Sequence, residues 1–216
     1  MPLYKTITID PNTNVLIWKI EESYDSLCEG IELTAHCQSR VDNMKSDMHK
    51  RGFMSIRHLL AVANYTDHDV YYDDFGKPYL KDGKHISITH SYEFSGIIIS
   101  NNPVGIDIEK QREKIHNIAH KFVNEFENES LENENQRSNK TRTLTILWGA
   151  KESLFKLYAT AGLSFLQHIY ISPFDLAYPF IYGAINYNEA ISHYDLTFIE
   201  FEGFTCVYAL PFEKEL

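Results

Sequence analysis

A break at Asn101-Asn102-Pro103 most constrains what this chain can fold into. On each side of it lie one long helical segment and several short strand-like runs, which predicts an α+β fold of two similar halves. Before the break, residues 43–63 carry Met44, Met48, Met54, Ile56, Leu59, Leu60 and Val62 at helical spacing. After it, the spacing predicts a second long helix over 143–158. The strand signals are short and alternating: NVLIWKI (14–20), HISITH (85–90), SGIIIS (95–100) and VGIDIEK (104–110), then HIYIS, FIYGAIN, DLTFIEF and FTCVYAL. Their close spacing and turn residues predict antiparallel sheets, with one long helix to each half. The halves are expected at 1–101 and 102–216, although no repeat is visible between them. Residues 113–126 place Ile115, Ile118, Ala119 and Phe122 at helical spacing, and the Glu/Asn-rich 124–143 reads as a loop or frayed helix end.

The charge balance is 20 basic against 30 acidic residues, net −10, which disfavours nucleic acid and anionic membranes as partners. Local basic clusters at Lys45, Lys50, Arg51 and Arg57, and at Lys140, Arg142, Lys151 and Lys156, still suit an anionic small molecule. No apolar run approaches the ~20 residues that span a bilayer. The opening MPLYKTITID lacks the pattern of a signal peptide, so a cytoplasmic protein is expected. The three cysteines, Cys28, Cys37 and Cys206, form no C-x-x-C pair, which argues against a disulfide framework or a cysteine zinc site.

Three motifs carry chemistry. In Gly105-Ile106-Asp107-Ile108-Glu109, a strand's period of two puts Asp107 and Glu109 on one face. Two carboxylates side by side suit a hard divalent cation, while the plainer reading is the polar face of an edge strand. In Trp148-Gly149-Ala150-Lys151-Glu152-Ser153-Leu154-Phe155-Lys156, a helix stacks Trp148, Glu152 and Lys156 on one face. That set can add a third carboxylate and a phosphate-gripping lysine, or it is an ordinary Glu–Lys helix pair worth a few tenths of a kcal/mol. Thr89-His90-Ser91 ends a strand, downstream of Gly76-Lys77-Pro78, and offers hydroxyls and an imidazole to a phosphate. His116 and His120 are spaced like a zincin pair, but Asn117 stands where the glutamate belongs.

The order of these motifs resembles the 4′-phosphopantetheinyl transferases of the Sfp type. That family carries G-[IV]-D-[IV]-E on a strand and W-x-x-K-E-[SA]-x-x-K on a later helix, here GIDIE (105–109) and WGAKESLFK (148–156). GKPYL (76–80), SITHS (87–91), KFVNEFE (121–127) and AGLSF (161–165) extend the likeness. The resemblance implies two α+β halves related by a pseudo-twofold, with the active site in the cleft between them and a monomeric enzyme. It implies transfer of the phosphopantetheine arm of coenzyme A to a serine of an apo acyl or peptidyl carrier protein, releasing adenosine 3′,5′-bisphosphate. Such carriers serve fatty acid, polyketide and nonribosomal peptide synthesis.

Carried over by position, Asp107, Glu109 and Glu152 become ligands of Mg²⁺ (or Mn²⁺), Glu152 being also a candidate base. Lys156 becomes a phosphate contact, and Lys151 and Trp148 its neighbours in the coenzyme A site. Thr89, His90 and Ser91 meet the phosphates, Lys77 and Pro78 line the adenine side, and Arg51 and Arg57 reach the 3′-phosphate. The Glu-rich 128–142 would repel an acidic carrier, which shifts expected docking to Lys121 or Arg142. Two other readings remain at this stage: a Mg²⁺-dependent phosphohydrolase of a nucleotide-like substrate, and a non-catalytic coenzyme A binding protein.

Overall fold

The computed structural model describes residues 3–132 and 137–212, which form two compact units dividing between Asn101 and Asn102. The first unit opens with a hairpin, β1 (Leu3–Asp10) and β2 (Thr13–Lys19), and then three helices, α1 (Tyr24–Cys28), α2 (Ala35–Asp42) and α3 (Asp47–Val62). A small hairpin, β3 (Val70–Tyr72) with β4 (Pro78–Leu80), precedes a longer one, β5 (His85–Ser91) with β6 (Phe94–Ser100). The main sheet is antiparallel, in order β1-β2-β6-β5. Helix α3 starts at Ser46, whose hydroxyl accepts from the His49 backbone N–H, with Asp47 in its positive first turn. Its stripe of Phe53, Ile56, Leu59 and Leu60 packs on Leu16, Trp18, Ile97 and Ile99 of the sheet. A buried hydroxyl contact, Ser55 to Ser95 at 2.7 Å, pins the helix to β6.

The second unit starts with β7 (Gly105–Lys110) and continues through two 3-10 turns, Glu113–Asn117 and Ala119–Lys121. Helices α4 (Glu125–Glu132) and α5 (Arg137–Tyr158) follow, then β8 (Ile169–Ile171), β9 (Phe180–Tyr187), β10 (Ala190–Phe201) and β11 (Phe204–Pro211). Its sheet is antiparallel throughout, in order β7-β11-β10-β9-β8. The turns Asn188-Glu189 and Glu202-Gly203 have positive φ at both residues, the turn that matches the twist of paired strands. Leu147, Ala150 and Leu154 of α5 join Ile169, Ile185, Val207 and Ala209 in this unit's core.

Two glycines set the distance between α5 and the sheet. A Cβ on Gly105 would stand 1.8 Å from the Ser153 carbonyl oxygen, and one on Gly149 would stand 2.9 Å from a Val207 methyl. Helix and strand therefore meet backbone to backbone, which no larger residue at 105 permits.

Three expectations need revision. The segment 113–126 is not one helix: 3-10 turns cover Glu113–Asn117 and Ala119–Lys121 and α4 begins at Glu125, because i, i+3 apolar spacing serves a 3-10 turn equally well. Within 124–143, expected as a loop or frayed helix end, helix occupies 125–132 and starts again at 137, and 133–136 lie outside the described residues. Strand β1 was not foreseen, since its mixed polar pattern LYKTITID marks an edge strand with little burial. Among the described residues no helix is long and apolar enough to cross a membrane.

Candidate active site

The close approach of α5 to β7 brings the second unit's two motifs together. Asp107, 5% exposed, accepts a charged hydrogen bond from the Lys156 ammonium at 2.7 Å, and the same ammonium donates to the Ile106 carbonyl at 3.0 Å. A Cβ on Gly149 would lie 3.9 Å from the Asp107 Oδ2, so this glycine keeps the face around the carboxylate open. One helical turn before Lys156, Glu152 has its pKa pushed up to about 7. Burial is the main cause, the negative charges of Asp107 and Glu109 add to it, and Lys156 opposes it. Ile106 and Ile108 alternate onto the other face of β7 and are buried there as well.

These carboxylates fit a divalent cation by their chemistry. All are hard oxygen donors, and the charges of Asp107 and Glu109 add to the burial that raises the Glu152 pKa, a repulsion that a bound cation would relieve. Among the described residues, no three His, Cys, Asp or Glu side chains stand together closely enough to hold a metal ion. The counter-charge to Asp107 is the Lys156 ammonium.

The other two expected residues of this helix behave differently. Lys151, expected in the coenzyme A site, is directed into the protein. It is 0% exposed, paired with Glu127 at 2.8 Å, and donates to the carbonyls of Phe122, Phe165 and Ile169 at 2.7–2.9 Å. Trp148 is half-buried and lines a groove of about 170 Å³ with Glu109, Lys110, Arg112, Lys114, Ile115, Ile118 and Thr145. Lys110, Arg112 and Lys114 escaped the sequence reading, although three cations at alternate positions directly after GIDIE were the available signal. Arg142, a candidate docking cation, spends its guanidinium on Glu200 at 2.7 and 2.8 Å.

The first unit sorts its candidates by burial. Arg57, expected at a phosphate, is a core residue, 3% exposed. Its guanidinium binds Asp67 at 2.8 Å, the Phe53 carbonyl at 3.0 Å and the Cys37 sulfur at 3.1 Å, and lies 3.5 Å from the Phe53 ring centre. On β5, His90 is exposed on the face that meets α3, while Thr89 and Ser91 are buried on the opposite face. The strand's alternation thus parts the imidazole from the two hydroxyls expected to act with it. A Cβ on Gly52 would come 3.1 Å from the His90 ring, so the glycine leaves the imidazole its place beside α3. Arg51 donates to the Ile20 carbonyl at 3.0 Å and borders a pocket of about 190 Å³ with Ile20, Met48, Tyr92 and Glu93. Lys77 and Pro78, at the start of β4, are half-buried, and desolvation lowers the lysine's pKa against the opposing charge of Asp73.

Comparison with known proteins agrees with this arrangement. Residues 103–207 match the model of the 4′-phosphopantetheinyl transferase superfamily. The chain is 35% identical over 102 residues to the 4′-phosphopantetheinyl transferase gsp of Aneurinibacillus migulanus, covering 46% of this chain and 43% of that protein. It is 32% identical over 127 residues to the 4′-phosphopantetheinyl transferase of Bacillus subtilis, covering 56% of each. The matched part of this chain spans about half the length of these curated relatives. The match to the 4′-phosphopantetheinyl transferase superfamily thus lies over residues 103–207, the segment that holds β7, α5 and their carboxylates.

Proposed function

We propose that this chain transfers the 4′-phosphopantetheine arm of coenzyme A to a serine of an apo carrier protein, with Mg²⁺ bound by Asp107, Glu109 and Glu152. The observation that carries the proposal is the meeting of Asp107, Glu152 and Lys156 across the β7–α5 approach, within the segment that matches the superfamily.

The serine hydroxyl is a weak nucleophile and needs a base poised near neutral pH. Glu152 is held there by burial and by its acidic neighbours. It takes the hydroxyl proton as the serine oxygen forms a bond to the β-phosphorus of coenzyme A. The bond from that phosphorus to the bridging oxygen breaks, and adenosine 3′,5′-bisphosphate leaves with the electron pair. Bound Mg²⁺ would supply charge neutralisation at the pyrophosphate oxygens. Lys156, already aimed at Asp107, adds a second positive charge at the same place. Arg57 and Lys151 are assigned to the fold instead.

Chromatographic detection of adenosine 3′,5′-bisphosphate tests this reading. The chain is incubated with coenzyme A and Mg²⁺, with and without a panel of apo carriers. Release that requires a carrier supports transfer. Release at the same rate without carrier means water is the acceptor and makes the chain a phosphohydrolase. No release from any mixture contradicts both reactions.

A further inference from the structure

Lys151 is a buried cation with no direct part in the proposed chemistry. Replacing a buried ion pair by apolar residues of similar size is often neutral or stabilising, so stability alone does not account for it. Its three N–H groups face four acceptors, Glu127 and the carbonyls of Phe122, Phe165 and Ile169, all within 3 Å. Two of those carbonyls belong to the residues whose rings grip Trp148. The Phe122 ring meets the indole edge-on at 5.0 Å, and the Phe165 ring lies tilted against it at 5.5 Å. Trp148 in turn walls the groove that contains Glu109. Phe122 and Phe165 come from segments far apart in sequence, before α4 and after α5, and the lysine's ammonium is bonded to both backbones at once.

We infer that Lys151 is a positioning residue for Trp148: it fixes the backbone of Phe122 and Phe165, and through their rings the indole beside Glu109. Glu127 has a different duty. It accepts from the backbone N–H groups of Ile171 and Asn124 at 3.0 Å and balances the lysine's charge. The kinetic consequence rests on the transferase reading, whereas the placement of the indole does not.

The test is ¹⁹F NMR of the full chain labelled with 5-fluorotryptophan. The chain has two tryptophans, Trp18 and Trp148, and the W148F variant assigns the signals. Lys151→Met alone leaves Glu127 buried without a counter-charge, so the double variant K151M/E127Q is the main probe. It is expected to melt closer to the parent than K151M does, yet to shift or broaden the Trp148 signal while sparing that of Trp18. Glu127→Gln alone keeps the three lysine–carbonyl bonds, and is expected to lower the melting temperature without moving the Trp148 signal. An unmoved Trp148 signal in K151M/E127Q overturns the inference, as does a displacement in E127Q equal to that in the double variant. Where the parent transfers phosphopantetheine, kcat/KM of the double variant falls roughly tenfold to a hundredfold, the scale of a small misplacement in a site. A parent without transfer activity refutes the proposed function, and the NMR comparison still decides the role of Lys151.

Discussion

The Lys156 ammonium lies 2.7 Å from the Asp107 carboxylate, although 49 residues separate them in sequence. The contact exists because Gly105 lets α5 settle onto β7 at backbone distance. It sets a cation on the carboxylate that the proposed site would offer to a metal. Replacing Lys156 by Met leaves the buried Asp107 without that partner and should cost about 1–3 kcal/mol. It should also strengthen Mg²⁺ binding in the absence of coenzyme A, because the ammonium no longer competes, while transfer falls. Calorimetric titration with MgCl₂ checks this; weaker Mg²⁺ binding in K156M would count against the shared carboxylate.

Glu152 gives a pH signature. Its folded pKa of about 7 lies above the ordinary value of 4.5, so the folded state holds its proton more tightly than the unfolded one. The group costs nothing below pH 4.5, and stability falls as the pH rises from there toward 7 and the ionised form takes over. Glu152→Gln should therefore melt higher than the parent at pH 8 and equally at pH 4, while losing transfer. Added Mg²⁺ should narrow the gap at pH 8. Melting curves at the two pH values decide it, and an identical gap at both would contradict the assignment.

Gly105 offers the steric test. A methyl group there would overlap the Ser153 carbonyl, so Gly105→Ala must push helix and strand apart. The expected loss is about 3 kcal/mol, at the upper end for overpacking. Denaturant unfolding measures it, and a loss under about 0.5 kcal/mol, typical of a surface change, would contradict the close approach.

Arg57 and Asp67 form a buried pair in the first unit. Burial pushes the Asp67 pKa up, but the Thr34 backbone N–H, the Arg57 charge and the Thr34 hydroxyl outweigh it and hold the value below 3.8. The pair's contribution is thus complete above pH 3.8 and is lost only as the pH falls through that lower folded value. Arg57→Met should destabilise by about 3–5 kcal/mol at pH 7. Under conditions where the variant is still folded, its affinity for coenzyme A should match the parent's. Arg51→Met is expected to weaken coenzyme A binding with a smaller effect on melting. Equal losses of affinity in both variants would return Arg57 to the ligand site.

Much of this was legible in the sequence, and the exceptions share a cause. GIDIE and WGAKESLFK declared their strand and helix by period, while the expectation that Asp107, Glu152 and Lys156 share a site came from the family resemblance. The long helices were found because α3 and α5 bury a periodic stripe. What periodicity cannot say is which charged residues point inward. Arg57 and Lys151 looked like ligand cations because both types usually face water. Their acidic partners, Asp67 and Glu127, are respectively 10 and 24 residues away, and only the folded chain shows them paired. Thr89 and Ser91 were grouped with His90 by adjacency, where the strand's alternation sets them on opposite faces.

The proposed reaction moves phosphopantetheine from coenzyme A to a carrier serine. Intact-protein mass spectrometry of apo carriers, incubated with the chain, coenzyme A and MgCl₂, tests it most directly. The predicted result is a mass gain of one phosphopantetheine on at least one carrier, absent with EDTA, absent with the D107A or E152Q variant, and absent when the carrier's serine is replaced by alanine. Unmodified carriers across acyl and peptidyl types, with parent protein that is folded and binds coenzyme A, would contradict it.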